Sequence, residues 1–324
     1  MREVERIVIP LSKGTRVKSL CWHGDELVDW VGGAKRYRLD GTFVEPRISW
    51  GYRFDRAVAL PDCEYVVIYE SLGTKGLLIR NGRLLRELNR SFYHAEAYEY
   101  PVALSRLADG RAVIAHCPEE YCKIEIEEVE TGRRLTAREN KPADFFHSRL
   151  QFSPGGRYLL SAGWVWHPFD TGEVYDVERA LAEPKSLDEI WHLKIEGVHG
   201  ELHAAAFNGP DTFVFAADAE IEQSPLVGVY DLTEGRLVSL SPVAEQVGTL
   251  MPLGEFAVGF FDHPKLFELK TGQVVQRWDE LASGRENSSI IWHQETPTPA
   301  LALDPANGRF AVAGAEAITV VRLG

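Results

Sequence analysis

At 324 residues and 45% hydrophobic, the chain is long enough for one large all-β domain or two average ones, and no apolar run approaches the ~20 residues of a membrane-spanning helix. A formal net charge of −13 argues against a nonspecific nucleic-acid binder, which needs clustered Lys and Arg to displace counterions. Four cysteines make no disulfide framework, and charges break the first ten residues where a signal peptide needs an apolar core. The expectation is a cytoplasmic protein that meets neither nucleic acid nor membrane.

Taken from its start, the chain opens with Val4–Leu11, a strand with no unit of its own. A unit then recurs seven times: a strand, a tight turn, an apolar strand, a hairpin, and a third strand that runs into another turn. The first strands place Leu20, Leu60, Leu107, Phe152, Phe207, Leu250 and Leu303 ahead of turn signals such as Ala108-Asp-Gly110, Ser153-Pro-Gly-Gly156 and Asn208-Gly-Pro210. In those turns Pro presets φ and Gly supplies the positive φ that a side chain resists. An apolar run follows each turn, as in Val66-Val-Ile68, Ala112-Val-Ile114, Phe213-Val-Phe215 and Phe310-Ala-Val312.

The third strands form a second column: Ile126-Glu-Glu-Val-Glu-Thr-Gly132, Val174-Tyr-Asp-Val177, Val229-Tyr-Asp-Leu-Thr-Glu-Gly235 and Leu266-Phe-Glu-Leu-Lys-Thr-Gly272, with weaker copies ending at Gly41, Gly82 and Gly324. Asp170-Thr-Gly172 looks like another copy but sits too early, and is assigned to the hairpin between the second and third strands. Fourth strands are expected at Thr42–Ile48, Arg83–Leu88, Arg133–Thr136, Glu189–Leu193, Arg236–Leu240 and Gln273–Trp278. The helix-prone stretch is Glu178–Gly200, where Val177–Ala182 forms a turn or two before Pro184 stops it.

Two columns in phase, 37 to 55 residues apart, suit four-stranded propeller blades, which tolerate loop insertions, better than a rigid solenoid. The predicted fold is therefore all-β: a seven-bladed β-propeller of four-stranded antiparallel blades, one domain over residues 1–324. The last unit, about 299–324, has no fourth strand, and Val4–Leu11 supplies it. That closes the ring and removes the exposed sheet edges.

The pattern resembles the WD-repeat family of propellers over essentially the whole chain. Phe152-Ser-Pro-Gly-Gly156 and Val229-Tyr-Asp-Leu232 carry the likeness, the second standing where the family has Trp-Asp. No unit has the Trp-Asp pair itself, and the acidic position becomes Arg38, Arg80 and Arg322 in units one, two and seven. The resemblance is to a divergent, bacterial-looking member, and it implies the family's usual role as an interaction platform.

Propellers commit their sheets to packing and leave function to the loops. Connections from a fourth strand to the next blade, and hairpins between second and third strands, share one face. On that face Leu88–Tyr100, Ala137–His147, Trp278–Thr298, Gly163–Phe169 and Phe261–Lys265 are rich in aromatics and His. Trp and Tyr anchor interfaces because they bury large areas and keep a polar tip. The expected contacts to a partner protein are Trp50, Tyr93, His94, Phe146, Trp164, Trp166, His167 and Trp292. The competing reading is that these rings plug gaps between blades. Replacing Trp164 and Trp166 with Ala separates the two readings, because contact residues leave folding intact and core residues do not.

Metal and catalytic signatures are weak. Cys117 and Cys122 flank a hairpin beside His116, but zinc needs about four ligands and strand alternation sends His116 and Cys117 to opposite faces. No His-Glu-x-x-His, Gly-x-Ser-x-Gly or phosphate-binding loop is present. The function expected from sequence is a non-catalytic platform binding another protein through the aromatic and His-rich loop face, with no cofactor and no metal. The alternative is a small-ligand binder or hydrolytic enzyme using the central channel.

Overall fold

The computed structural model describes residues 1–46, 48–139, 141–167, 169–189, 195, 198, 200–219, 224–290 and 296–324. The strands form seven antiparallel sheets, each built mostly from consecutive strands. The exception is the sheet that joins the two ends of the chain. Glu3–Pro10 pairs with Ala317–Leu323, Ile9 opposite Ile318 and Ile7 opposite Val320, and so supplies the fourth strand of blade 7.

The innermost strands of blades 1 to 7 are Cys21–His23, Arg56–Ala59, Val102–Arg106, Leu150–Phe152, Leu202–Phe207, Leu250–Leu253 and Leu301–Asp304. Neighbours from blade 7 round to blade 6 touch in order, and the turn Pro305–Asn307 of blade 7 packs on Leu250–Leu253, completing the circle. Second strands such as Tyr65–Tyr69, Ala112–His116 and Arg309–Ala313 are buried along their whole length. They have sheet on both edges and a neighbouring blade on each face, which is why they read as continuous apolar runs. Fourth strands such as Arg83–Asn89 and Val274–Arg277 are only partly buried, with exposed and half-buried positions interspersed. In blade 3 residues 133–135 take this place, with Leu135 N–H donating to Ile126 O and a bridge from Arg134 to Glu127. The fourth strand expected at Glu189–Leu193 in blade 4 lies, beyond Glu189, outside the described residues.

The core is divided among the seams. Seven apolar clusters each join two adjacent blades; one holds Val113, Ile126, Leu159 and Tyr175 between blades 3 and 4, and another Ile9, Tyr37, Ala311 and Val320 between blades 7 and 1. An eighth, of Ala97, Tyr98, Phe146, Trp164 and Ile290, belongs to no seam and is made by loops.

The helix Val177–Ala182 forms where expected. Asp176 caps it by accepting from Arg179 N–H, and Pro184 opens the 3-10 turn that follows. Asp170-Thr-Gly172 does fall in the hairpin between the second and third strands, but in its returning arm and not at its turn. It lies inside the third strand Phe169–Asp176, paired with Trp164, Gly163 and Ala162, while Trp166 and His167 are in the turn. The second strand Tyr158–Val165 simply runs farther than its apolar core suggests. No described helix is long and apolar enough to cross a membrane.

Candidate functional site

The eighth cluster is built from four segments that meet on the loop face. Residues 90–100 leave blade 2 and are pinned from beneath by the buried guanidinium of Arg90. Its Nη2 donates to Ala95 O (2.7 Å), Tyr98 O (3.0 Å) and Ser71 O (3.2 Å), and its Nε to Gly73 O (2.7 Å). The same group stacks over Tyr98 and Tyr100 at 4.7 and 5.1 Å. The loop ending at His147 lies against the Trp164 hairpin of blade 4 like a short extra strand: Phe146 N–H donates to Trp164 O and Trp164 N–H to Phe146 O. Gly163 makes this approach possible, since a Cβ there would sit 2.1 Å from Phe146 O. Residues 284–290 come from beyond blade 6. Ile290 bridges Tyr98, and Ser289 donates through N–H and Oγ to Asp170 Oδ1.

On this backbone the rings stack. Phe146 and Trp164 lie face to face at 3.8 Å and 12°, and Tyr121 from the Cys117–Cys122 hairpin stacks on the other side of Phe146 at 4.3 Å. Tyr121 Oη donates to Asp144 Oδ1 (2.6 Å), and burial together with the Asp144 charge pushes the phenol pKa up. Phe146 is 0% and Trp164 2% exposed, so they form a base. Above them, Tyr93 packs on Tyr121 (4.9 Å), Trp166 meets Trp164 edge-on (5.4 Å), and His94 meets both Tyr93 and Trp166 edge-on (4.6 and 5.0 Å). Tyr93 and Trp166 are 46% and 42% exposed and form a crown, and Phe92, next to Tyr93 in the chain, is 83% exposed. His94 and His167 both take positive φ, 51° and 96°, a conformation uncommon for a residue with a side chain.

Of the residues singled out in the sequence, Tyr93, His94, Phe146, Trp164 and Trp166 come together in this one cluster. His167 is exposed in the adjoining turn. Trp50 sits elsewhere, half-buried on the blade 1–2 seam, with Nε1–H donating to Trp30 O (2.7 Å). Trp292 lies outside the described residues. Sequence reasoning passed over Arg90, Tyr121 and Ile290. Only Tyr121 gave a signal, as an aromatic in a hairpin.

Below the loops, the first strands of blades 2 to 7 and, from blade 1, residues 18–20 just ahead of its first strand line a central channel of about 400 Å³. Arg56, Glu99, Arg149 and Glu286 line it, and no histidine is among its described lining residues. Tyr69 Oη donates to Glu99 Oε1 (2.7 Å). Burial and the nearby Glu286 charge push the Glu99 carboxyl pKa up, against the pull of Arg56. Arg56 makes one long hydrogen bond, 3.3 Å to Asp55 O, and no ion pair among the described residues. At the hairpin of blade 3, Cys117 and Cys122 are free thiols, and burial pushes both pKa values up.

No protein-family model matches the chain, and no sequence among the curated proteins matches it. Solved structures do. A chain of the mitotic checkpoint complex superposes with a TM-score of 0.59 at 11% identity, over 99% of this chain and 94% of that one. Hydrazine synthase from Kuenenia stuttgartiensis gives 0.58 at 11% identity, over 97% of both chains. The Dos1 propeller gives 0.58 at 9% identity, over 97% and 95%. At such identities the likeness speaks for architecture alone, and together with the seven sheets it makes this chain a seven-bladed β-propeller.

Proposed function

We propose that this propeller is a non-catalytic platform that holds another protein through the aromatic crown on its loop face, as a divergent relative of the WD-repeat proteins. The observation that carries the reading is that Tyr93 and Trp166 are exposed while seated on a stacked, buried base. Large rings held rigidly before contact bury much area and lose little conformational freedom on binding. Two exposed carboxylates touch the cluster: Glu96 lies 3.7 Å from His94 Nδ1, and Asp144 accepts from Tyr121 Oη. The fitting occupant is a protein segment with an apolar or aromatic anchor flanked by Lys or Arg.

The test compares affinity purification of wild type and of the Tyr93→Ala/Trp166→Ala protein from the native host. A specific partner bound by wild type and lost from the variant, with thermal unfolding unchanged, is the expected result. Trp164→Ala behaves differently: emptying that buried, stacked position is expected to cost about 3–5 kcal/mol of stability. A partner retained equally by the double variant moves the interface to another surface.

The channel favours a second reading, small-ligand binding, because Arg56 lines it without an ion pair among the described residues. Native mass spectrometry of the same preparations separates the two. A bound small molecule that is lost from Arg56→Ala, with no protein partner found, transfers the function to the channel.

A further inference from the structure

We infer that the seam between blades 4 and 5 carries a site for a divalent first-row metal ion, ligated by Asp170, Glu201 and His203. One ligand atom from each of the three lies within 4.8 Å of the other two. Metal bonds of about 2.0–2.2 Å place ligand atoms roughly 3–4 Å apart, so side-chain movements of an ångström or less close the set on an ion.

The individual groups are prepared for this. His203 falls where the pairing of Leu202–Phe207 with Thr212–Asp218 slips by a residue, between Leu202 opposite Ala217 and Ala204 opposite Ala216. Such bulges re-aim a side chain out of the regular alternation. At its back, Nε2 lies 2.8 Å from Asp218 Oδ2. In front, Nδ1 faces Asp170 Oδ2 at 3.5 Å, too long for a good hydrogen bond and close to the spacing of two ligands on one ion. A ligating imidazole backed by a carboxylate on its other nitrogen is the usual arrangement around metals, because the carboxylate orients the ring and raises its basicity.

Asp170 is 1% exposed. Its Oδ1 is taken by the N–H and Oγ of Ser289, while Oδ2 is buried without a well-aligned hydrogen bond, as are both ring nitrogens of His203, Nε2 in spite of its close approach to Asp218. A buried carboxylate oxygen and a buried ring nitrogen left facing each other are costly unless something lies between them. Glu201 is held in place by accepting from Asp170 N–H (2.9 Å). Gly200 lets its chain press against blade 5, since a Cβ there would sit 2.3 Å from Asp218 O. One imidazole and two carboxylates with no thiolate suit Zn²⁺ or Mn²⁺. The competing occupant is a second proton on His203, pairing it with Asp170 and Asp218.

The experiment is calorimetric titration of metal-stripped, full-length protein with Zn²⁺ and separately with Mn²⁺, with X-ray absorption of the Zn²⁺ form. Uptake of one equivalent of Zn²⁺ is expected, in a shell of nitrogen and oxygen at about 2.0–2.2 Å. Glu201→Gln should weaken binding at least tenfold and His203→Gln should abolish it. Should His203→Gln fail to fold, the half-exposed Glu201→Gln decides alone. Three results overturn the proposal: no uptake at 1 mM metal on the order of any functional site's range, a sulfur shell at about 2.3 Å, or Glu201→Gln binding as wild type does.

Discussion

Burial holds His147 in its neutral form, because an imidazolium there would lose its hydration with no carboxylate to replace it. The ring is 1% exposed; Nδ1 lies 3.1 Å from Ser161 Oγ and Nε2 3.3 Å from Cys122 O. With Nε2–H donating to the carbonyl and Nδ1 accepting from the hydroxyl, one neutral tautomer satisfies both contacts. Burial, aided by the Arg138 charge, lowers the pKa to about 3. Since the unfolded chain takes up this proton near pH 6.5 and the fold does not, the neutral ring's contribution is fully present above pH 6.5. It declines as the pH falls toward 3, by about 1.4 kcal/mol per unit. Glu127, lowered to about 2, opposes burial by facing His116 and Arg86, and its contribution is lost only below about pH 4.5. The buried Glu99 and Glu125 carboxyls, both raised by burial, also titrate above pH 4.5, so His147 is isolated by comparing urea unfolding of wild type and His147→Gln between pH 4.5 and 6.5. Wild type should lose stability across that window with a steeper slope than His147→Gln, and equal slopes would disprove the neutral ring. The neighbouring Phe146 shows the same dependence on surroundings: it and Trp164 are buried because each covers the other, whereas Trp166, two residues along the same hairpin, is left in the crown.

Among the elements, the N-terminal strand Glu3–Pro10 does most to decide whether the ring is closed. Arg2 and Gly324 exchange both backbone hydrogen bonds at 3.0 Å, and Ile9 is fully buried between blades 7 and 1. Glu3 also ties the strand to blade 6, accepting from Trp278 Nε1–H at 2.6 Å and donating its N–H to Gln276 Oε1 at 2.9 Å. Removing residues 1–11 should strip the outer strand from blade 7 and expose an unpaired edge. The expected outcome is a fall in Tm of about 10 °C or more, with concentration-dependent association in sedimentation. A truncated chain that stays monomeric at the wild-type Tm would refute this role. Ring closure was legible in the sequence because it needed only a strand without a unit and a unit without a strand. Blade number was legible because turns and apolar runs are local and repeat. Asp170-Thr-Gly172 misled because its turn chemistry is genuine, while the strand around it is set by pairing with Ala162–Trp164. The aromatic loops stood out by composition, but which rings form base and which form crown depends on contacts between blades. Arg90 acts on backbone carbonyls 5 to 19 residues away that no side-chain pattern marks, Ile290 acts through Tyr98 far along the chain, and Asp170, Glu201 and His203 share no motif spacing, so none of these was visible in one dimension.

For the molecule as a whole, the proposed role divides into two parts: the net charge of −13 would govern how a basic partner arrives, and the rings how long it stays. Charges act over the Debye length, about 10 Å at 0.1 M salt and about 3 Å at 1 M, so added salt removes the steering that brings a basic segment to this face. Stacked rings act only at contact and are far less sensitive to salt. Arrival and residence therefore separate experimentally. For the crown's partner, the association rate should fall on the order of tenfold between 50 and 500 mM NaCl while the dissociation rate changes little. Trp166→Ala should do the opposite, raising the dissociation rate and leaving the salt dependence of association intact. Surface plasmon resonance of wild type and variant across that salt range reads both rates. An association rate indifferent to salt would remove the acidic surface from recognition and leave a purely apolar partner for the crown.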